Sequence, residues 1–225
     1  MRLYLASNDL GNFASTLVDL VGENKKALII SNARDHRSPD RRKAIVDEDT
    51  RMLEECGFIV SELDLRKYFG SSQQLKEYID SFNPGLVFSM GGNVYSLATA
   101  LKLSGMDNVL REDLEQDKYV YGGYSAGSMV ASRDLSYYLD SYGRRSDDRL
   151  EQARELYGDI STNGLGLIDE YIAPHADEER FRASCEEAQV SISSKGLTPI
   201  ALNNSDVVVV NGKKIIKLVG KDKNG

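Results

Sequence analysis

The feature that most limits the fold is an alternation. Short apolar runs, each too short to make a helix, give way in turn to segments with apolar residues at helical spacing. Leu3 to Ala6, Lys26 to Ser31, Phe58 to Leu63, Leu86 to Met90 and Tyr119 to Gly122 read as strands. Phe13 to Val21, Asp40 to Glu55, Ser72 to Phe82, Asn93 to Leu103 and a segment starting over Ala126 to Ser132 read as helices. A strand as apolar as Leu86 to Met90, with Ser89 its one polar residue, needs cover on both faces, and helical crossovers supply it. The alternation therefore predicts an α/β fold, a three-layer α/β/α sandwich around a mainly parallel central sheet.

The later half reads differently. Asp134 to Leu167 holds a Tyr-Tyr pair, several glycines and the charge cluster Arg144-Arg145-Ser146-Asp147-Asp148-Arg149, which suggests an excursion over the surface with a helix near Leu150 to Tyr157. Leu167 to Ile172 reads as a returning strand and Asp177 to Ile192 as a long helix. Ile200 to Leu202, Asp206 to Val210 and Lys214 to Val219 read as strands, the last two joined as a C-terminal hairpin by Asn211-Gly212, a strong turn signal between apolar runs. Neither a repeat nor a linker-like stretch interrupts the chain, so residues 1–225 read as a single domain.

With 41% hydrophobic and 28% charged residues, the chain can bury a substantial core. Its net charge of -7 argues against general attraction to nucleic acid or to an anionic membrane surface. Cys56 and Cys185 are too few and too distant for a disulfide framework and read as reduced thiols. With only 2 histidines, no metal-ligand spacing emerges, and no cofactor is expected. The N-terminal apolar run stops at Asn8-Asp9, too short for a signal peptide, and no run approaches the ~18 residues of a membrane span. A cytoplasmic protein with a small-molecule partner, monomeric or homodimeric, is expected.

The chemistry concentrates in Tyr121-Gly122-Gly123-Tyr124-Ser125-Ala126-Gly127-Ser128, a Gly-x-Ser-x-Gly between an apolar strand and a helix. That is the setting of a nucleophile elbow, where glycines let neighbouring chain pass a serine held in strained backbone at the edge of the sheet. A plain glycine-rich turn packing strand on helix would use the same residues. Ser89-Met90-Gly91-Gly92-Asn93 also follows a strand and precedes a helix. Its backbone N–H groups can converge on an oxyanion, which makes Gly91, Gly92 and Asn93, with Ala126, the oxyanion or substrate-binding candidates; Gly92 and Ala126 are the expected donors, and Asn93 can also cap the helix. Of the two histidines, His36 sits in a polar, charge-rich loop where solvation is expected, whereas His175 follows Tyr171-Ile172-Ala173-Pro174 at a strand end. His175 is the better placed base for an elbow serine.

Gly-Gly-Asn after one strand, Gly-Tyr-Ser-Ala-Gly-Ser after the next and Pro-His about fifty residues later together resemble the serine peptidases that include α-aspartyl dipeptidase and cyanophycinase. The resemblance spans most of the chain in the same order. It implies a flavodoxin-like sheet similar to class I glutamine amidotransferases, with Ser125 as nucleophile, His175 as base and Gly92 with Ala126 as oxyanion donors. It also matches Asp140 to an aspartate of the dipeptidase. Where that enzyme orients its histidine with a glutamate, the position here is Asn204, with Asp206 two residues on. An amide can orient an imidazole but stabilises an imidazolium less than a carboxylate does. The third member is thus Asn204, Asp206 or Asp140.

These residues imply a serine hydrolase, a peptidase or dipeptidase acting on small peptides, with an N-terminal Asp substrate implied by resemblance alone. Arg34, Arg37 and Arg133 are candidates to meet such a carboxylate. The alternatives are an esterase or amidase of small substrates and a non-catalytic or weakly active binding relative. An α/β-hydrolase esterase fits poorly, because Gly-Gly-Asn lies mid-chain and fifty residues follow His175.

Overall fold

The computed structural model describes residues 1–141 and 143–221, and the side chains of all of these except 140 and 143–145. Strands β1 (Arg2–Ala6), β2 (Lys26–Ile30), β3 (Ile59–Leu63), β4 (Leu86–Ser89) and β5 (Val120–Tyr124) come from the alternating part of the chain. They lie in the order β3-β2-β4-β5-β1, all parallel. Beyond β1 the sheet continues antiparallel through β8 (Val207–Asn211) to β9 (Lys214–Leu218), making a 7-stranded sheet.

Successive side chains on a strand face opposite layers, and the core shows it. Leu3, Leu5, Leu28 and Ile30 join one apolar cluster, whereas Tyr4, Ala6, Ala27 and Ile29 join the other, all 0% exposed. The second layer is closed by α1 (Ala14–Val21), through Leu17 and Val21, and by α2 (Pro39–Glu55), through Val46 and Leu53. The first is closed by α3 (Ser72–Phe82), α4 (Val94–Ser104), α5 (Met106–Glu115) and α9 (Glu179–Ser194). Full burial of each such aliphatic side chain stabilises by ~1.5–3 kcal/mol, which is why these strands carry no polar alternation. Among the described residues no helix is long and apolar enough to cross a membrane.

Several elements differ from the sequence reading. A left-handed Gly105 (φ 76) ends α4, and the chain restarts at once as α5, a helix the periodicity does not predict. The expected strand over Leu167 to Ile172 is confined to β6 (Tyr171–Ala173), which pairs in parallel with β7 (Pro199–Ala201) in a separate 2-stranded sheet. The hairpin turn falls one residue later than expected, on Gly212 and Lys213, because Asn211 still pairs with Lys214.

The expected surface excursion is partly interior. After α6 (Ala126–Met129) it forms α7 (Ser136–Ser141) and α8 (Gly143–Tyr157). Tyr137 is 1% and Tyr138 8% exposed, and the Tyr137 hydroxyl donates to the Ile172 carbonyl at 2.7 Å. Given that partner, a tyrosine packs as a large apolar residue.

Candidate active site

β5 ends at Tyr124 and α6 begins at Ala126, so Ser125 alone carries the reversal. Its φ of 50° and ψ of -112° lie where side-chain-bearing residues are rare, at a cost on the order of 1–3 kcal/mol. The surroundings impose this conformation. Ser125 N–H donates to Ala6 O at 3.1 Å, and the Ser128 hydroxyl lies between Ala6 O (2.7 Å) and Gly123 O (2.8 Å). Gly127 passes so close to β4 that a Cβ there would stand 2.1 Å from Ser89 O, so only glycine fits.

The neighbouring turn after β4 presses equally close to another loop. Gly92 has φ 149°, and a Cβ on it would stand 2.3 Å from Ala33 O. Gly91 lies against the Tyr124 ring. Asn93 is the cap of α4: its Oδ1 accepts from Tyr95 N–H (3.1 Å) and Ser96 N–H (3.2 Å). Its Nδ2 donates to Arg149 O at 2.7 Å and its backbone N–H to Ala33 O at 2.8 Å. The backbone N–H and the side-chain amide of Asn93 are thus both engaged in building the turn. The N–H groups of Gly92 and Ala126 meet no acceptor among the described residues, and Gly92 lines the same small cavity as Ser125 and His175.

β6 and β7, being parallel, end at the same edge, and this brings the next two residues together. His175 lies two residues past β6 and Asn204 three past β7. His175 takes a left-handed φ of 64°, held by its N–H donating to Ser7 Oγ (2.8 Å) and by Ala176 N–H donating to Leu202 O (2.9 Å). Its Nε2 is 3.0 Å from Ser125 Oγ and its Nδ1 is 2.7 Å from Asn204 Oδ1. An amide oxygen only accepts, so Nδ1 carries the proton and Nε2 is left to accept from the serine hydroxyl. Burial, the largest influence, holds the His175 pKa below its usual 6.5, against the opposing Asn204 hydrogen bond and Glu178 charge. The ring is neutral at pH 7, the form able to take a proton from Ser125.

Of the other candidates for the third position, Asp206 falls elsewhere. Asp206 is 0% exposed, and its carboxylate accepts from Asn203 N–H (3.1 Å) and Gly220 N–H (3.1 Å) and pairs with Lys217 (3.1 Å). It fastens the β8–β9 hairpin, and its carboxylate is taken up by partners other than His175. Asp140 lies in α7, but its side chain is outside the described residues. His36 is half-buried rather than solvated, and burial first, then Arg149, Arg37 and Arg34, drive its pKa down to about 4.

Two residues at the site escaped sequence reasoning. Arg149 of α8 lines the cavity with Ser125, His175, Tyr138 and Phe181, whereas Arg133 is 67% exposed and paired with Asp169, and Arg34 donates to the Tyr124 hydroxyl. Nothing in the local sequence sets Arg149 apart from its charged neighbours. Glu178 brings a carboxylate oxygen to 3.6 Å from His175 Nδ1, and its only sequence signal is a spacing of three residues.

Comparison with known proteins agrees with this architecture. An uncharacterized peptidase of Listeria monocytogenes serovar 1/2a is 25% identical over 173 residues, 76% of each chain. One from Listeria innocua serovar 6a is 24% identical, over 79% of this chain and 78% of its own. A peptidase E-like protein from Listeria monocytogenes EGD-e superposes with a TM-score of 0.74 at 20% identity, over 98% of both chains. A peptidase from an acI-B1 Actinobacterium gives 0.70 at 16% identity, over 97% of this chain and 87% of its own. At these identities the two structures speak for the fold. The profile of peptidase family S51 matches residues 4–218, and the chain belongs to that family.

Proposed function

We propose that this peptidase is of the serine type and hydrolyses small peptides, with Ser125 as nucleophile and His175 as general base. The observation that carries the reading is the Ser125 Oγ–His175 Nε2 contact of 3.0 Å, with the far side of the ring fixed on Asn204 at 2.7 Å. In this mechanism Oγ attacks the scissile carbonyl carbon while its proton passes to Nε2. The carbonyl oxygen becomes an oxyanion facing the free N–H groups of Gly92 and Ala126. Collapse of the tetrahedral intermediate breaks the C–N bond, and the proton on Nε2 leaves with the amine. Water, deprotonated by the same nitrogen, then releases the acyl group and restores Ser125.

Charge supports an acidic substrate class. Arg149, whose guanidinium is a bidentate partner for carboxylate, is among the residues that line the cavity holding Ser125. An acidic group on the substrate, such as an N-terminal aspartyl residue, is the favoured ligand. A panel of Asp-X dipeptides, neutral dipeptides and cyanophycin tests this. Arg149→Met should lower kcat/KM for Asp-X by ~10-fold or more, the scale of one charged hydrogen bond, and change neutral substrates by less than about threefold. Equal losses on both classes would assign Arg149 to structure and leave the acidic preference without support.

A further inference from the structure

A neutral amide faces His175 where its charge would rise during catalysis, and the turn after the histidine supplies a carboxylate instead. Glu178 N–H donates to His175 O at 3.2 Å, and Glu178 O in turn accepts from the N–H groups of Phe181 (2.8 Å) and Arg182 (2.9 Å) at the start of α9. This tight turn folds the Glu178 side chain back over the ring, placing Oε2 3.6 Å from Nδ1, too far for a hydrogen bond but in direct charge contact. Its other oxygen, Oε1, pairs with Arg180. Phe181 stacks on the imidazole with centroids 5.0 Å apart and planes 24° apart, and the Arg180 guanidinium sits 4.8 Å from the Phe181 centroid. Among the described residues, the other polar and charged groups near the ring are Ser125, Asn204, Asp177, which accepts from Asn204 N–H at 2.8 Å, and, from α7 and α8, Tyr138 and Arg149 along the cavity.

We propose that the work of the third triad member is divided here: Asn204 fixes the direction of the ring, and Glu178 is the positioning carboxylate whose charge stabilises the imidazolium, tempered by Arg180. This rests on His175 acting as the base of Ser125. The geometry separates the two tasks because Asn204 holds the only hydrogen bond to Nδ1 among the described residues, while the Glu178 charge stands just behind it.

The test reads the histidine directly. NMR titration of the two imidazoles, assigned with His36→Gln, gives the His175 pKa in the intact protein. Glu178→Gln removes a charge without changing shape and should lower that pKa by about half to one pH unit. It should also reduce kcat/KM by ~3- to 10-fold and carry the acidic limb of the profile down with it. Arg180→Gln, at a side chain 69% exposed, should raise the pKa and move the limb the other way. Asn204→Glu in the Glu178→Gln background should restore both, by returning a carboxylate to Nδ1. A pKa unmoved by Glu178→Gln, or moved in the same direction by Arg180→Gln, would overturn the proposal. Because the titration needs no turnover, it decides on Glu178 even if Ser125→Ala left hydrolysis intact and so refuted the nucleophile.

Discussion

Ser125→Ala is expected to reduce peptide hydrolysis by on the order of 10³-fold or more while leaving the fold in place. Among the described residues the Ser125 hydroxyl makes one hydrogen bond, to His175 Nε2, and both residues line the same small cavity, so its removal unpairs only that nitrogen. The turn itself is held by backbone contacts, Ser125 N–H to Ala6 O and the Ser128 hydroxyl between β1 and β5, which alanine preserves. Thermal stability should therefore stay within about 1 kcal/mol of the parent. Retention of more than a tenth of the activity would exclude Ser125 as the nucleophile.

His175→Gln is expected to cause a comparable loss, and His36→Gln less than about a threefold change. Both imidazoles have pKa values pushed below 6.5, His36 to about 4, but only His175 touches Ser125. In the parent enzyme kcat/KM should fall on acidification below pH 6.5, as His175 takes up a proton and ceases to be a base, and His175→Gln should remove that limb. Stability carries the signature of both lowered imidazoles, and that of His36 spans a wide window. With its folded pKa below the unfolded value, His36 is protonated first in the unfolded chain, so between pH 6.5 and about 4 it favours unfolding progressively as pH falls. His36→Gln should therefore flatten the loss of melting temperature across that window. Asp49 acts in the opposite sense: burial raises its pKa to about 6, so the folded protein takes up that proton first and gains stability as pH drops below 6. A large activity loss from His36→Gln with His175→Gln still active would reverse the assignment of the base.

The parallel sheet was legible because β1, β2 and β4 are buried on both faces and their residues say so locally. Ser125 and Gly92 were legible for a related reason, since each glycine-rich turn must bend sharply where a strand meets a helix. Partnership across the fold was much harder to read. β6 and β7 look like any short strands, and nothing in their residues reveals that they leave the main sheet to bring His175 and Asn204 to one edge. The polar and charged residues after Asp134 suggest surface, yet Tyr137 is buried because a carbonyl 35 residues away accepts its hydroxyl. Arg149 and Glu178 reach the site through helix placement and a left-handed turn at His175, neither of which a charge pattern encodes. Asp206 shows the converse: an acid close in sequence to the expected position serves to fasten the hairpin.

The most direct measurement is labelling with a fluorophosphonate probe, which reacts only with an activated serine. The native protein should be labelled on the peptide containing Ser125, with labelling abolished in Ser125→Ala and reduced to near background in His175→Gln. Folded protein that takes no label, or label that persists in Ser125→Ala, would contradict a Ser125–His175 hydrolytic site.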